Sequence, residues 1–365
     1  DKYGDPIISP EQIAQLKQRV QNDGELKSHI PDLFLCDPSE SEGYRRFLQF
    51  AYAKPLKEHK GNLIACAHGY LSSAVDMRRR YRIDSVFEPS RVSPEVATLI
   101  PQSWPFVVGS RDKLGSVLVI HRIGQADPVK FAETWEKGKY LDPAGQEVDE
   151  MNMFTVWYYR SMEYIRRDLQ PQLVQQNCPE PNRVVLICDI KGVSLKIITN
   201  AFRRSIIAMQ NVGTVVHCNA MKKTYLVNLP RVAKFLWGLV KVFLDPTITG
   251  KIVFCSPEEL IEEIGRENLP TWLGGQLPDS HFVQDFSRDP TGTVAASEVA
   301  PAGAEGVLST TKPVFDSSSP FAAEALQHYL ATSRDLEDRV KRLEGEIREV
   351  AVQNTSLMIA VCVLL

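Results

Sequence analysis

The chain of 365 residues carries none of the local signatures of covalent, metal or phosphoryl chemistry. It has no G-x-S-x-G elbow, no G-x-x-x-x-G-K-[ST] phosphate loop and no H-E-x-x-H helix. The turn after its most apolar strand offers Gly192 alone, where a dinucleotide site needs three glycines. Cysteine is scarce, with seven in all and no two closer than Cys178 and Cys188. So odd and scattered a set argues against a disulfide framework or a zinc site. Cys188 and Cys255, inside predicted buried strands, read as reduced core thiols of a cytosolic protein. A net charge of -3 leaves no basic footprint for nucleic acid. No apolar leader follows Asp1, so secretion finds no support, and a first residue other than Met reads as a fragment or a processed product. His121 and His217 flank predicted strands, where an isolated histidine is far more often structural than catalytic. With 44% hydrophobic content able to bury a sizeable core, these absences point to a non-catalytic protein without a cofactor.

What is present begins with a helix start at Ser9-Pro10-Glu11-Gln12. Ser9 serves as N-cap, Pro10 takes the first helical position and Gln12 is placed to complete a capping box. Helical patterning dominates to about Arg82. Pro89, Pro94, Pro101 and Pro105 then interrupt it, marking the passage from an N-terminal helical subdomain (1–100) to a sheet domain (101–279). Beyond Pro278, Ser, Thr, Ala, Gly and Pro prevail, which reads as a disordered linker over 280–320. Leu336, Val340, Leu343, Ile347, Val350, Asn354 and Leu357 next recur at alternating spacings of four and three amid charged residues. That pattern predicts a coiled-coil helix over 321–356, with Asn354 setting its register; the alternative is a solitary amphipathic helix packed on the domain. The apolar tail 357–365 is far short of the roughly 20 residues a bilayer needs. It is either an extension of the coil or the start of a membrane anchor continuing past Leu365.

Residues 183–275 are the most informative. An apolar strand at 183–190, an amphipathic helix, a second strand at 224–228, a nearly all-apolar helix at 231–244 and a third strand follow one another, a βαβαβ layout with strands buried on both faces. On the apolar helix Arg231, Lys234 and Lys241 fall within one arc of roughly 80°, while Val232, Phe235, Leu236, Leu239, Val240, Val242 and Phe243 fill most of the rest. Pattern alone leaves two readings open: a core-facing helix whose basic stripe marks its wet side, or a helix that dips into a membrane.

Five short motifs decide the context: Asp189-Ile190-Lys191-Gly192, Tyr225-Leu226-Val227-Asn228-Leu229-Pro230, Phe243-Leu244-Asp245-Pro246-Thr247, Lys251-Ile252, and Glu267-Asn268-Leu269-Pro270 running into Leu273-Gly274-Gly275. In this order they resemble the CRAL-TRIO lipid-binding domain of fungal phosphatidylinositol/phosphatidylcholine transfer proteins. The resemblance continues more weakly through 116–124, read as an edge strand, and an aromatic-rich helix near 153–169. It reaches Arg46-Phe47-Leu48 and Met77-Arg78-Arg79-Arg80 only loosely. It implies an α/β fold: a CRAL-TRIO-like sheet with helices enclosing a hydrophobic lipid cavity, preceded by the helical subdomain and followed by the linker and coiled coil. Residues 231–244 become a mobile gate hinged at Pro230 and Asp245-Pro246. Phe235, Leu239, Val242 and Phe243 cover the lipid when it is closed. Arg231, Lys234, Trp237 and Lys241 meet the membrane when it is open, at about 1 kcal/mol per basic charge. Tyr225 joins the lipid-binding set, and Asp189 is implied to hold a turn instead of serving as a catalytic acid.

Headgroup choice is where the sequence departs from the family. Lys251 stands where the family places a lysine on the inositol phosphate, although an ordinary strand-edge lysine is the alternative. The acidic residue before the second strand is replaced by Asn219, and hydroxyl-bearing positions of the first strand become Val184 and Leu186. Leaving a headgroup unpaired against those side chains would cost several kcal/mol. The resemblance therefore implies a phospholipid or other hydrophobic lipid as ligand more than it implies phosphatidylinositol. The leading expectation is a lipid-binding or lipid-transfer protein that is cytoplasmic, peripheral on or tail-anchored to the cytosolic face of an intracellular membrane, and homo-oligomeric through its coil. The alternative is a membrane-tethered scaffold with little lipid exchange. A small-molecule hydrolase is a third, without a nucleophile to support it.

Overall fold

Ser9 caps the first helix as its spacing to Gln12 predicts. Ser9 Oγ accepts from the Gln12 backbone N–H at 3.3 Å, and Gln12 Oε1 accepts from the Ser9 N–H at 2.8 Å. In this computed structural model, which describes residues 5–141, 147–193, 200–229 and 250–290, the helix α1 (Pro10–Gln21) is followed by α2 (Gly24–Leu33), α3 (Glu40–Ala53), α4 (Leu63–Arg80) and α5 (Pro94–Ser103). Asp23, Ser39, Asn62 and Ser93 cap the last four with side-chain oxygens, each typically worth about 1 kcal/mol. Leu16, Val20, Leu26, Tyr44, Phe47, Leu48 and Leu71 bury the apolar stripes of α1 to α4.

Next come β1 (Phe106–Arg111), β2 (Val117–His121), α6 (Pro128–Lys137), β3 (Lys139–Leu141), β4 (Glu147–Asn152) and α7 (Met153–Tyr164). A π turn at Ile165–Leu169 carries α7 into α8 (Gln170–Gln175), so the aromatic-rich helix of 153–169 continues unbroken. The chain closes with β5 (Val184–Asp189), α9 (Asn200–Val216), β6 (Met221–Val227), β7 (Ile252–Cys255) and α10 (Pro257–Ile264). The main sheet runs β1-β2-β5-β6-β7, with β1 antiparallel to β2 and the other neighbours parallel. β3 and β4 pair separately. The predicted strands of 183–275 thus lie side by side in one parallel array. The gate helix with its hinges, the coiled coil and the apolar tail lie outside the described residues. Among the described residues no helix is long and apolar enough to cross a membrane.

Two expectations need correction. The strand in 116–124 is not an edge: β2 is flanked by β1 and β5, and Val117, Leu118, Val119 and Ile120 are all buried. Its unbroken apolar run is what a two-sided strand requires, and the missed neighbour was β1, whose Phe106-Val107-Val108 follows Pro105 directly. Residues 282–286, inside the span expected to be linker, also pack on the sheet. Val283 exchanges backbone hydrogen bonds with Val108 at 2.7 and 2.9 Å, and Phe282 and Phe286 are buried, Phe286 stacked on Phe106 with ring centroids 5.5 Å apart. Two aromatic anchors within a polar stretch outweigh its composition.

The sheet separates two apolar layers. On one face Val117, Val119, Val184, Cys188 and Leu226 pack with α5, α6, α7 and α9; on the other Leu118, Ile120, Val185, Ile187, Tyr225 and Val227 pack with α10. The β2 and β5 ends meet so closely that Gly124 leaves no room for a Cβ beneath the Lys191 carbonyl. Glu163 of α7 is fully buried and pairs with Arg78 of α4 at 3.0 Å, Arg166 at 2.8 Å and Arg167 at 3.0 Å. Six described cysteines stand outside any disulfide, five of them buried, and burial pushes Cys188 up to about 12.

His121 and His217 are held neutral by their surroundings. Trp104 Nε1 donates to His121 Nδ1 at 2.8 Å, Phe106 stacks on the imidazole, and burial pulls its pKa down to about 4. Burial likewise lowers His217 to about 3. In the folded state both stay neutral while the unfolded chain takes up protons from near 6.5, so their contribution to stability is complete above that value. It is lost as pH falls from about 6.5 toward 4 and below. Urea denaturation across this range should show stability falling by up to about 1.4 kcal/mol per pH unit for each histidine. His121→Gln should remove one histidine's share of the slope.

Candidate functional site

Strand register assigns each predicted residue to a face. Leu186, Thr224 and Ile252 form one row across β5, β6 and β7, and Cys188, Leu226 and Phe254 form the next on the same face, with Val184 preceding them on β5. Cys188 and Leu226 are buried, whereas Leu186, Ile252 and Phe254 remain partly open. Met209 of α9 packs against the same cluster. This is an apolar floor that the parallel strands present as a continuous surface.

Tyr225 is set apart from these residues. It lies in the row Ile187, Tyr225 and Val253 on the opposite face, and its hydroxyl donates to Glu263 Oε2 of α10 at 3.0 Å. Burial and the adjacent Glu263 carboxylate both raise its pKa. Phe235, Leu239, Val242 and Phe243, and with them Arg231, Lys234, Trp237 and Lys241, lie outside the described residues.

Asn219 and Lys251 meet at the other end of the floor, where β6 begins. Asn219 takes a left-handed backbone, φ 51°, a conformation asparagine tolerates better than most side chains. Its amide serves two partners: Nδ2 donates to Gln49 Oε1 of α3 at 3.0 Å, and Oδ1 accepts from Lys251 Nζ at 3.0 Å. Lys251 Nζ also donates to the Met221 carbonyl at 3.2 Å and faces Asp5 Oδ1 at 3.3 Å. Burial lowers the Lys251 pKa, and the Asp5 carboxylate opposes that shift.

Two further cations, not singled out as site residues from sequence, complete this end. Arg183, just before β5, donates through Nη1 to the Asn219 carbonyl at 2.6 Å and through Nη2 to Asp5 Oδ2 at 2.8 Å. Arg46 of α3, noted only within a loose resemblance, donates to the Cys218 carbonyl at 2.9 Å and to Asp37 Oδ2 at 2.7 Å, and Asn182 Nδ2 holds the other Asp37 oxygen at 2.8 Å. Asp189 holds a turn as implied: its Oδ1 accepts from the Lys191 N–H at 3.0 Å and from Asn228 Nδ2 at 2.8 Å, tying the ends of β5 and β6 together. The arrangement can bind an apolar body along the floor and an anion at the β6 end. Nothing in it forms a nucleophile and base pair among the described residues.

The family profile described as CRAL/TRIO domain matches residues 102–275. A phosphatidylinositol/phosphatidylcholine transfer protein, SFH4 of Arabidopsis thaliana, is 25% identical over 243 residues, which cover 65% of this chain and 36% of that protein. The SEC14 cytosolic factor of Eremothecium gossypii is 24% identical over 220 residues, 58% of this chain and 65% of that one. The chain therefore spans little more than a third of the first relative and just under two thirds of the second. The crystal structure of Sfh5 aligns with 77% of this chain and 94% of its own at 14% identity, with a TM-score of 0.43.

The two faces can be told apart with a fluorescent acyl-chain probe. Leu186→Asp should weaken binding at least about tenfold, since it sets a charge against an apolar ligand. Tyr225→Phe should bind as the wild type does, while losing about 1 kcal/mol of stability with its hydroxyl contact to Glu263. Equal binding by all three proteins would place the apolar ligand off the floor.

Proposed function

We propose, from the match of residues 102–275 to the CRAL/TRIO domain, that the chain is a non-catalytic lipid carrier holding one lipid with its acyl chains along the apolar floor. The observation that carries this reading is the pair of rows Leu186, Thr224, Ile252 and Cys188, Leu226, Phe254. They lie inside the matched region on the face away from α10, with Leu186, Ile252 and Phe254 partly open. The printed names of the relatives, a phosphatidylinositol/phosphatidylcholine transfer protein and a cytosolic factor, agree with transfer from the cytosolic side of a membrane. In this proposal residues 231–244 are the gate: Phe235, Leu239, Val242 and Phe243 cover the lipid, and Arg231, Lys234, Trp237 and Lys241 meet the bilayer. Burying four such side chains in either place is favourable, at about 1.5–3 kcal/mol each for a fully buried large apolar residue. A helix of that composition therefore finds two environments of comparable free energy, and its basic stripe favours the membrane wherever anionic lipid is present.

Headgroup selection follows from the floor. Val184 and Leu186 supply no hydrogen bond, and Lys251 is already engaged by Asn219, Met221 and Asp5. The reading therefore favours phosphatidylcholine or a less polar lipid over phosphatidylinositol. Native mass spectrometry of the purified full chain should show one retained lipid. Vesicle transfer assays in competition should rank phosphatidylinositol below phosphatidylcholine, and strong phosphatidylinositol selectivity would refute the headgroup assignment.

The gate has its own test. Replacing Phe235 and Phe243 together by Asp should leave the thermal unfolding of the chain nearly unchanged while abolishing vesicle binding and transfer. Transfer that survives the double change would remove the gate from the mechanism. Unfolding or aggregation would make 231–244 an ordinary core helix, because two buried carboxylates would lack partners.

A further inference from the structure

Asp5 lies in the extended segment before α1, and its carboxylate sits between two cations. Oδ2 accepts from Arg183 Nη2 at 2.8 Å and Oδ1 faces Lys251 Nζ at 3.3 Å, with the residue only 7% exposed. The cations are fixed from behind. Arg183 Nη1 is held by the Asn219 carbonyl, and Lys251 Nζ by Asn219 Oδ1 and the Met221 carbonyl. Their convergence thus belongs to the sheet and does not depend on the carboxylate they grip. The strap that delivers Asp5 meets α3. The Pro6 carbonyl accepts from Gln49 Nε2 at 3.3 Å, Ile7 is 89% exposed, and Ile8 is the next buried side chain before the Ser9 cap. Gln49 is also the partner of Asn219 Nδ2, so strap and site share one side chain.

We propose that Asp5 is an internal competitor: its carboxylate fills an anion site built by Arg183 and Lys251, which Asn219 holds in place as an acceptor, and a phosphate ester enters that site when the strap withdraws. A phosphate group presents more acceptor oxygens than a carboxylate to the same guanidinium and ammonium donors, and charge-assisted bonds to it are the stronger ones. The strap therefore sets a threshold that an incoming phosphate must exceed. The proposal rests on the lipid-carrier reading only for the source of the phosphate, since a lipid headgroup and a free phosphate ester offer the same chemistry.

The test uses the full chain with Asp5→Asn, which removes the anion at nearly constant size. Inorganic phosphate is titrated at constant ionic strength against chloride, with thermal unfolding as readout. Asp5→Asn should unfold at a lower temperature than the wild type and be restored by phosphate, with apparent affinity at least about tenfold tighter than the wild type's. Adding Lys251→Met should abolish that restoration. Equal phosphate dependence in the wild type and Asp5→Asn, or restoration that survives loss of Lys251, would overturn the proposal. Should Asp5→Asn prove too unstable to purify, Asp5→Glu keeps the charge on a longer arm and should show intermediate phosphate dependence; wild-type behaviour would count against the competitor. A second arm measures binding to phosphatidylcholine vesicles with and without phosphatidylinositol 4-phosphate. Binding of Asp5→Asn that needs the phosphoinositide supports a headgroup as the displacing anion. Restoration by inorganic phosphate alone supports a free phosphate ester and leaves the competitor standing. Lipid retained by the wild type is scored separately, so failure of the carrier reading and failure of the competitor give different results.

Discussion

Glu163 has no contact with solvent, and the packing of the helices depends on keeping its charge. Burial works to raise its pKa, and the guanidiniums of Arg166 and Arg78 overcome that effect and hold it well below the usual carboxylate range. Arg78 brings in α4 and, through its other nitrogen, Asp84; Arg166 reaches on to the Asp32 carbonyl at the end of α2. One carboxylate thus joins α2, α4 and α7. Arg166 and Arg167 follow Glu163 by three and four residues, on the same helix face, so both bond to it. Replacing the whole set by apolar side chains could be neutral in stability, but removing Glu163 alone would strand buried Arg78 and Arg166, a change of about 3–5 kcal/mol. The network works as a lock on one arrangement of helices more than as a source of stability.

α3 packs on α4, one of the helices so locked, and α3 positions the polar end of the floor. Arg46 crosses from α3 to the carbonyl of Cys218, and Gln49 crosses from it to Asn219, so the left-handed turn that starts β6 is held by the helical layer as well as by its own strand. The apolar floor and the polar end are therefore built by different means. The first follows from strand alternation within the sheet. The second is assembled from residues remote in sequence, and its charges are buried only because helices and sheet meet there.

This division explains what could be read from the sequence. The strands β5, β6 and β7, the Ser9 cap and the turn held by Asp189 are local patterns, and each lies where its residue types put it. Val184 and Leu186 fall on one face because the period of a strand is two, and the same period sends Tyr225 to the other face once the register is known. Register was the missing information, and no single strand contains it. The pairing of Arg183 with Asp5 spans 178 positions, so no window of sequence could announce it. β1 was hidden by the prolines around it, and Phe282 and Phe286 were masked by their polar neighbours. In both places a few apolar side chains outweighed the surrounding composition because a sheet edge was there to receive them.

The reciprocal bonds between Val108 and Val283 give the protein a mechanical property. They bring residue 283 back beside the strand that opens the sheet, so that any force transmitted from beyond residue 290 enters at this edge. Asp289, paired with Arg167 at 3.5 Å, meets the load first, then Phe286 stacked on Phe106, then the paired backbone groups of Val283 and the side chain of Phe282. A pull across the strand would open these contacts one after another, whereas a pull along it would load them together. The direction of tension would then determine how much force the domain withstands before β1 separates from the sheet.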